Sequence, residues 1–220
     1  MRIARIIIII SILLISCNKQ NKFIKISNNP FIEYSKEGYN ISIYISDFSI
    51  GKGNELNNQG IDFARKKKFD KAREKFIQSL SLEPNDPVIL NNLGNIEYQE
   101  HKFEKAIEYF EKSLISSDSL YISAGINLGK TYSLIGEKGK SELLFNAIIT
   151  KTNIDFLKGI CYFELTRKHL DYGEVKKAKL SFSNAKSILK NYHDFEIELN
   201  DLETRINHYY DKKTCVQHLI

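Results

Sequence analysis

The strongest constraint in this 220-residue chain is a pattern that returns in step. Gly60, Phe69, Ala72, Phe76 and Leu80 reappear 34 residues later as Gly94, Phe103, Ala106, Phe110 and Leu114. A further step of 35 residues reaches Gly129, Ser141 and Phe145. Repeats at a period of 20 to 50 residues mean stacked supersecondary units that bury a core only against their neighbours. Within each copy the apolar residues fall at helical spacing in two runs separated by a short polar turn, so each copy reads as a helical hairpin. Asp70 stands where it would cap a second helix. Pro84 ends that helix, and Asp86-Pro87 opens the next as an N-cap followed by proline in the first turn.

A glycine inside a helix costs about 1 kcal/mol against alanine, so its recurrence implies a close approach. The spacing predicts that Gly60, Gly94 and Gly129 face Ala72, Ala106 and Ser141. It also predicts that Phe76, Phe110 and Phe145 fill the space between hairpins. A fourth copy is irregular, running from Gly159 and Tyr162 to Ala178, Phe182 and Ala185. Its extra residues belong either to a longer first helix or to a longer loop around Gly173. Residues 194–210 form one more amphipathic helix, with Phe195, Leu199, Leu202, Ile206 and Tyr209 in a stripe and Glu196, Glu198, Asp201, Glu203 and Arg205 facing away. Such a helix covers the last apolar face of a solenoid.

These landmarks resemble the tetratricopeptide repeat (TPR), although the family's leading tryptophan is Leu56, Leu90 and Gly125 here. The expected fold is all-α: an α-solenoid of three to four TPR-like hairpins with a C-terminal capping helix. Repeats are expected at 53–86, 87–121, 122–152 and, irregularly, 153–190. A capping helix at 191–210 and a tail at 211–220 follow. The resemblance implies a concave face lined by first helices, which carries Asn57, Ile61 and Ala64, then Asn91, Asn95 and Tyr98, then Ile126, Lys130 and Ser133. Asparagine amides both donate and accept, as the backbone of an extended peptide requires. The Lys and Arg clamp of chaperone-binding members is absent, since Lys130 alone is basic among these positions.

The N-terminus has a different character. Arg2 and Arg5 precede the apolar run Ile6 to Ile15, the layout of a secretory signal. Ten helical residues span about 15 Å, half the hydrocarbon core of a bilayer. Leu14-Ile15-Ser16-Cys17 resembles a bacterial lipobox, which implies a signal peptide at 1–16 and a mature chain starting at a lipidated Cys17. Asn18, where aspartate would hold a lipoprotein at the inner membrane, favours the outer membrane. Residues 17–52 read as a lipidated tether. Tyr39 to Ile45 alternates as a strand would, but an all-helical domain offers it no sheet. As the one apolar segment outside the repeats, it is also a candidate self-ligand for the groove.

Chemistry is not expected. Gly139-Lys140-Ser141 lacks the preceding glycine and strand of a phosphate loop. The five histidines have no metal-ligand spacing, and no serine or cysteine sits in a nucleophile motif. Net charge is +5, falling to about +3 without the signal, and Arg65 to Lys68 reads as a solvated turn. The sequence therefore points away from an enzyme, a cofactor, a metal, a small-molecule substrate and nucleic acid. After lipidation Cys161 and Cys215 remain. Export permits a disulfide, while the apolar helix around Cys161 favours a buried thiol. The expected function is an envelope adaptor or scaffold that binds an extended segment of another envelope protein through the concave face. The alternatives are a structural spacer or oligomerisation module with no peptide groove, and, more narrowly, an assembly factor of the barrel or secretin-pilotin type.

Overall fold

The computed structural model describes residues 23–26, 29–45, 51, 53–117 and 122–217. The signal peptide, the lipidation site and the first part of the tether lie outside the described residues. Eight helices form four hairpins: α1 (Asn54–Arg65) with α2 (Phe69–Leu82), α3 (Pro87–Gln99) with α4 (Phe103–Ser116), α5 (Ile122–Leu134) with α6 (Lys138–Lys151), and α7 (Asp155–Asp171) with α8 (Val175–Leu189). A single 3-10 turn, His193–Phe195, leads into α9 (Glu196–Gln217). This is the expected all-α solenoid.

The four hairpin turns are copies of one device. Each has three residues, and the middle one takes positive φ: Lys67 at 54°, His101 at 60°, Gly136 at 85° and Gly173 at 71°. In each, the residue after it donates back to a carbonyl five positions earlier, Lys68 to Phe63, Lys102 to Glu97, Glu137 to Tyr132 and Glu174 to His169. Open carbonyls at the helix end are thereby satisfied in a Schellman-type closure. Asp86 caps α3 as expected, its carboxylate accepting from the Val88 and Ile89 amides, with Pro87 in the first turn. Asp70 does not cap α2. The N-cap is Lys68, and Asp70 lies inside the first turn, where its charge still suits the helix dipole.

The recurring glycines face phenylalanine rather than alanine. A β-carbon on Gly60 or Gly94 would lie 2.5 Å from the ring of Phe76 or Phe110, and one on Gly129 would lie 2.9 Å from that of Phe145. Each ring therefore seats on the glycine of its own hairpin and also joins the apolar cluster that continues into the next, as with Phe76 and Leu93 or Phe110 and Leu128. Hairpins are joined by side chains that reach from a second helix to the following first helix. Arg73 Nε lies 2.7 Å from Glu97 and its other end pairs with Glu100, while Lys168 Nζ lies 2.7 Å from Glu142. Within a hairpin, Ser79 and Ser113, one period apart, donate from the second helix to the carbonyls of Gly53 and Pro87 at the start of the first, at 2.6 Å.

The fourth hairpin's irregularity lies in its helix, since its turn matches the others. Seven residues before the positive-φ position stand Gly60, Gly94, Gly129 and, here, Thr166. Gly159 is an extra glycine about two turns further back, packed on Leu189 and Ile188, and α7 has 17 residues where α3 and α5 have 13. The terminal helix also differs from expectation. Phe195, Leu199, Leu202 and Ile206 are buried, but Tyr209 is exposed and Glu198 is buried. The helix continues to Gln217, through most of the expected tail.

The largest departure is a sheet. Residues expected to form an extended tether make β1 (Phe23–Ile26), β2 (Asn29–Glu37) and β3 (Asn40–Ile45), antiparallel in the order β1-β2-β3. Gly38, at φ 55°, starts the two-residue turn between β2 and β3. The solenoid does offer this segment a place, because β3 packs against α3 and α5 inside the concave face.

Placing a methyl group at Gly94 separates close packing from backbone propensity. Gly94→Ala should destabilise the chain by about 1–3 kcal/mol, since overpacking of the Phe110 ring outweighs the gain in helix propensity. Gly139→Ala, where no atom lies within 4 Å of the added carbon, should be neutral or stabilise by up to about 1 kcal/mol. Thermal or denaturant unfolding of the two variants reads the difference.

Candidate functional site

The concave groove is the site, and β3 fills it. Strand pleating sends alternate side chains to opposite faces, and here both faces are buried. Ile41 and Ile43 join an apolar cluster with Ile126, Phe156, Phe163 and Phe195. Tyr44 enters a second cluster with Ile61, Ala64, Phe76 and Leu93. Burial raises the Tyr44 phenol above its ordinary pKa, so it stays neutral. The strand thus plugs into the first two hairpins on one side and the last two on the other.

Its free edge is read by asparagines. Ile43 pairs with Tyr34 on β2, and its own peptide group is open to the helices. The Ile43 carbonyl accepts from Asn95 Nδ2 at 2.6 Å, Asn127 Nδ2 at 3.1 Å and Asn91 Nδ2 at 3.2 Å. The Ile43 N–H donates to Asn127 Oδ1 at 3.4 Å. The Asn127 amide therefore meets both main-chain groups of Ile43 with its donor and its acceptor, as the backbone of a neighbouring strand would. Behind it the amides form a one-way ladder across three hairpins: Asn127 donates to Asn91 at 2.9 Å, Asn91 to Asn92 at 3.2 Å, and Asn92 to Asn57 at 2.9 Å. One strand residue on, Gln99 Nε2 donates to Ser42 Oγ at 2.8 Å.

The far end of the hairpin is tied to the terminal helix and to the 3-10 turn before it. Tyr34 Oη donates to Asp194 at 3.0 Å, Lys36 Nζ pairs with Glu198 at 2.6 Å, and Tyr39 Oη donates to Asp201. This explains why Glu198 faces inward. Tyr39 also stacks on Phe163 and lies beneath the Arg167 guanidinium, 4.7 Å from its ring centre.

The sequence-derived residues divide three ways. Asn91 and Asn95 converge on Ile43, while Asn57 accepts from Asn92. Ile61 and Ile126 are apolar walls against Tyr44 and Ile43. Tyr98 and Lys130 leave the strand and meet at the turn end of the groove, with Lys130 Nζ 5.1 Å from the Tyr98 ring centre. Asn92 and Asn127 were missed. Their signal was present, because Asn58, Asn92 and Asn127 recur in the same 34- and 35-residue steps, one residue beyond the positions taken from the resemblance. Cys17 lies outside the described residues. Cys161 is a free, buried thiol whose pKa burial drives up, and this makes it inert.

Lys130 is 5% exposed, and burial lowers its pKa from 10.5 to about 8, partly offset by Glu164. Beside it the Tyr98 phenol is raised to about 12, by burial and then by Glu164. A lysine that must be charged inside the fold weakens it. Between about pH 8 and 10.5 the unfolded chain holds a proton the folded chain has released, so this lysine's cost is complete below 8 and fades as pH rises to 10.5. Lys130→Met should therefore raise stability at pH 7 by roughly 1–3 kcal/mol, with the gain vanishing above about pH 10. Asn127→Ala should act oppositely. It leaves the Ile43 amide unpaired at a cost of about 1–3 kcal/mol, read as faster hydrogen exchange at Ile43 and its neighbours.

The comparisons with known proteins agree with this architecture. The tetratricopeptide repeat family model matches residues 87–117, the α3–α4 hairpin. The anaphase-promoting complex subunit CDC16 of Saccharomyces cerevisiae is 25% identical over 154 residues, 64% of this chain and 18% of that protein. The chain thus spans under a fifth of the length of this curated relative. In the crystal structure of the APC/C hetero-tetramer Cut9–Hcn1, a chain superposes with a TM-score of 0.61 at 19% identity, over 70% of this chain and 29% of its own. PilW, described as a widely conserved type IV pilus biogenesis factor, superposes with a TM-score of 0.60 at 20% identity, over 76% of this chain and 77% of its own. Hairpin by hairpin, the chain is an α-solenoid of tetratricopeptide-like repeats, with the family's own sequence pattern in residues 87–117.

Proposed function

We propose that this chain is a scaffold of the bacterial envelope, held by lipid on Cys17, that binds an extended segment of an envelope protein in its concave groove. The observation that carries the reading is the asparagine set on Ile43. Those amides grip backbone rather than side chain, so they suit any strand whose outward peptide group reaches the same point. Strand addition of this kind draws affinity from main-chain hydrogen bonds and specificity from alternate side-chain pockets. The pockets here are those of Ile43 and Tyr44. The resident hairpin acts as a tethered occupant, and a partner strand enters by replacing β3. Tethering gives the resident strand a high effective concentration, so only a well-matched segment competes. A role in barrel or pilus-secretin assembly is a narrower form of the same proposal.

A second reading draws on the complete burial of Ile41, Ile43 and Tyr44. On that reading the hairpin is a permanent wall and the protein is a spacer with no peptide groove. One experiment separates the two. Ser42→Cys and Gln99→Cys, joined by a short bis-maleimide, fasten β3 in place in the full chain. The probe is a labelled peptide of residues 37–46 flanked by lysines. Exchange predicts saturable binding to the unlocked chain and, with most of the strand's contacts blocked, about tenfold or greater loss on locking. Equal, negligible binding to both forms leaves the spacer. The anchor is tested separately: Cys17→Ala should abolish palmitate incorporation and move the chain out of the membrane fraction.

A further inference from the structure

The four hairpin turns lie along one edge of the solenoid, because successive antiparallel hairpins stack side by side. Ion pairs join neighbouring turns: Arg73 reaches Glu100, and Lys138 Nζ lies 2.6 Å from Glu174. Taken as 65–71, 99–105, 134–140 and 171–177, these turns hold eleven Lys or Arg against six Asp or Glu. That net of +5 exceeds the +3 of the chain without its signal, so the rest of the chain is slightly negative. The described connections at the opposite edge, 83–86 and 152–154, hold Glu83 and Asp86 and no lysine or arginine. Lys66, Lys68, Lys105 and Lys176 are exposed and, among the described residues, have no carboxylate within ion-pairing distance. Glu100 and Asp171 are drawn back instead to Arg73 and Arg205.

The same edge carries apolar tips. Leu134, Ile135 and Tyr172, on the third and fourth turns, are 56%, 41% and 47% exposed. Lysine stands among them, with Lys138 Nζ 4.3 Å from the Tyr172 ring centre. Lysines interleaved with exposed apolar side chains suit a lipid headgroup layer, where charge meets phosphate and the apolar tips sink below it. The path of the chain leads to the same edge. Phe23 pairs with Ser35, two residues before Glu37, and Glu37 pairs with Lys67 on the first turn at 3.4 Å. β1 therefore begins at the turn end of the groove. Six peptide steps separate Cys17 from Phe23, about 20 Å at full extension. The opposite edge lies a further helix length away, again about 20 Å. We propose that the edge formed by the four turns rests on an anionic phospholipid surface, its lysines on the headgroup phosphates and Leu134, Ile135 and Tyr172 beneath them. This builds on the lipid anchor at Cys17 and says which face that anchor holds to the membrane. A basic patch alone binds weakly, so the edge orients a chain that the lipid retains. The helices then stand upright on the bilayer.

Two measurements test this, the first without the anchor. The chain from residue 17 onward, carrying Cys17→Ser, is floated with vesicles of equal parts phosphatidylglycerol and phosphatidylcholine. It should bind at about 0.01 M salt, where charges act over roughly 30 Å, and about tenfold or more weakly at 0.15 M, where they act over about 8 Å. Vesicles of phosphatidylcholine alone should not bind it. Lys66→Glu with Lys68→Glu should weaken binding to the anionic vesicles about tenfold or more. Lys151→Glu with Lys190→Glu makes the same change of charge away from the turns and should weaken it less than about threefold. All four lysines are exposed, so neither variant should melt much below the parent. Equal loss in the two variants would reduce the effect to net charge and overturn the proposal. So would failure of the parent to bind anionic vesicles, the result expected if this edge serves an acidic protein instead. The second measurement uses the acylated chain in the same vesicles, with a dye at residue 139 (Gly139→Cys) or at residue 153 (Asn153→Cys) in a Cys215→Ser background. Energy transfer to headgroup-labelled lipid should be stronger from residue 139, and equal transfer from both edges would overturn the proposal. A failed anchor shows separately, as an expressed chain that does not float with pure phosphatidylcholine vesicles, and it leaves the first measurement intact.

Discussion

The peptide group of Ile43 is the point on which the fold depends. An edge strand inside a solenoid carries a row of donors and acceptors into an apolar interior, and each unmet group there costs more than a made bond returns. Asn127 answers both the N–H and the carbonyl of Ile43 at once, and Asn91 and Asn95 add to the carbonyl. With the polar edge answered, Ile41, Ile43 and Tyr44 can be buried on opposite faces. The two apolar clusters they enter belong to different halves of the solenoid. The hairpin is therefore a clasp. It joins the first two repeats to the last two and to α9, a connection that nearest-neighbour stacking alone does not provide. The dependence runs both ways, because a short isolated sheet is marginal in water and this one is held by the helices around it.

What was legible in the sequence was what each repeat imposes on itself. Glycine and phenylalanine stand sixteen residues apart in every regular hairpin, and the period made that pattern visible. The identity of the glycine's partner was not visible, since Ala72 and Phe76 lie on one face of α2 and spacing alone does not rank them. The ring reaches further than the methyl group, so the notch serves the phenylalanine. Thr166 was obscured for a related reason. Gly159 offered a glycine of the right kind in the wrong frame, and only the turn at Gly173 set the register.

The sheet was hidden because its partners are remote. The alternation in Tyr39 to Ile45 was plain, but a strand needs an edge, and the edge here is built by helix side chains some 50 to 84 residues away. Periodicity in a first helix shows which residues share a face and says nothing of what that face holds. The asparagines on that face suited an extended backbone, which turns out to be the chain's own. Glu198 misled for the same reason: its place in a helical stripe pointed outward, and only the ion pair with Lys36 turns it in.

A groove that satisfies its own amides has little left to recognise except at its ends, and Lys130 sits at one of them. Burying a lysine without a carboxylate partner is among the more expensive substitutions a helix face can carry, and methionine would fill the same space at less cost. The neighbouring ionic groups show that this solenoid pairs its buried charges when pairing is all that is needed, as with Lys168 and Glu142 or Lys36 and Glu198. Lys130 departs from that habit, its ammonium resting on the Tyr98 ring with no carboxylate within ion-pairing distance among the described residues.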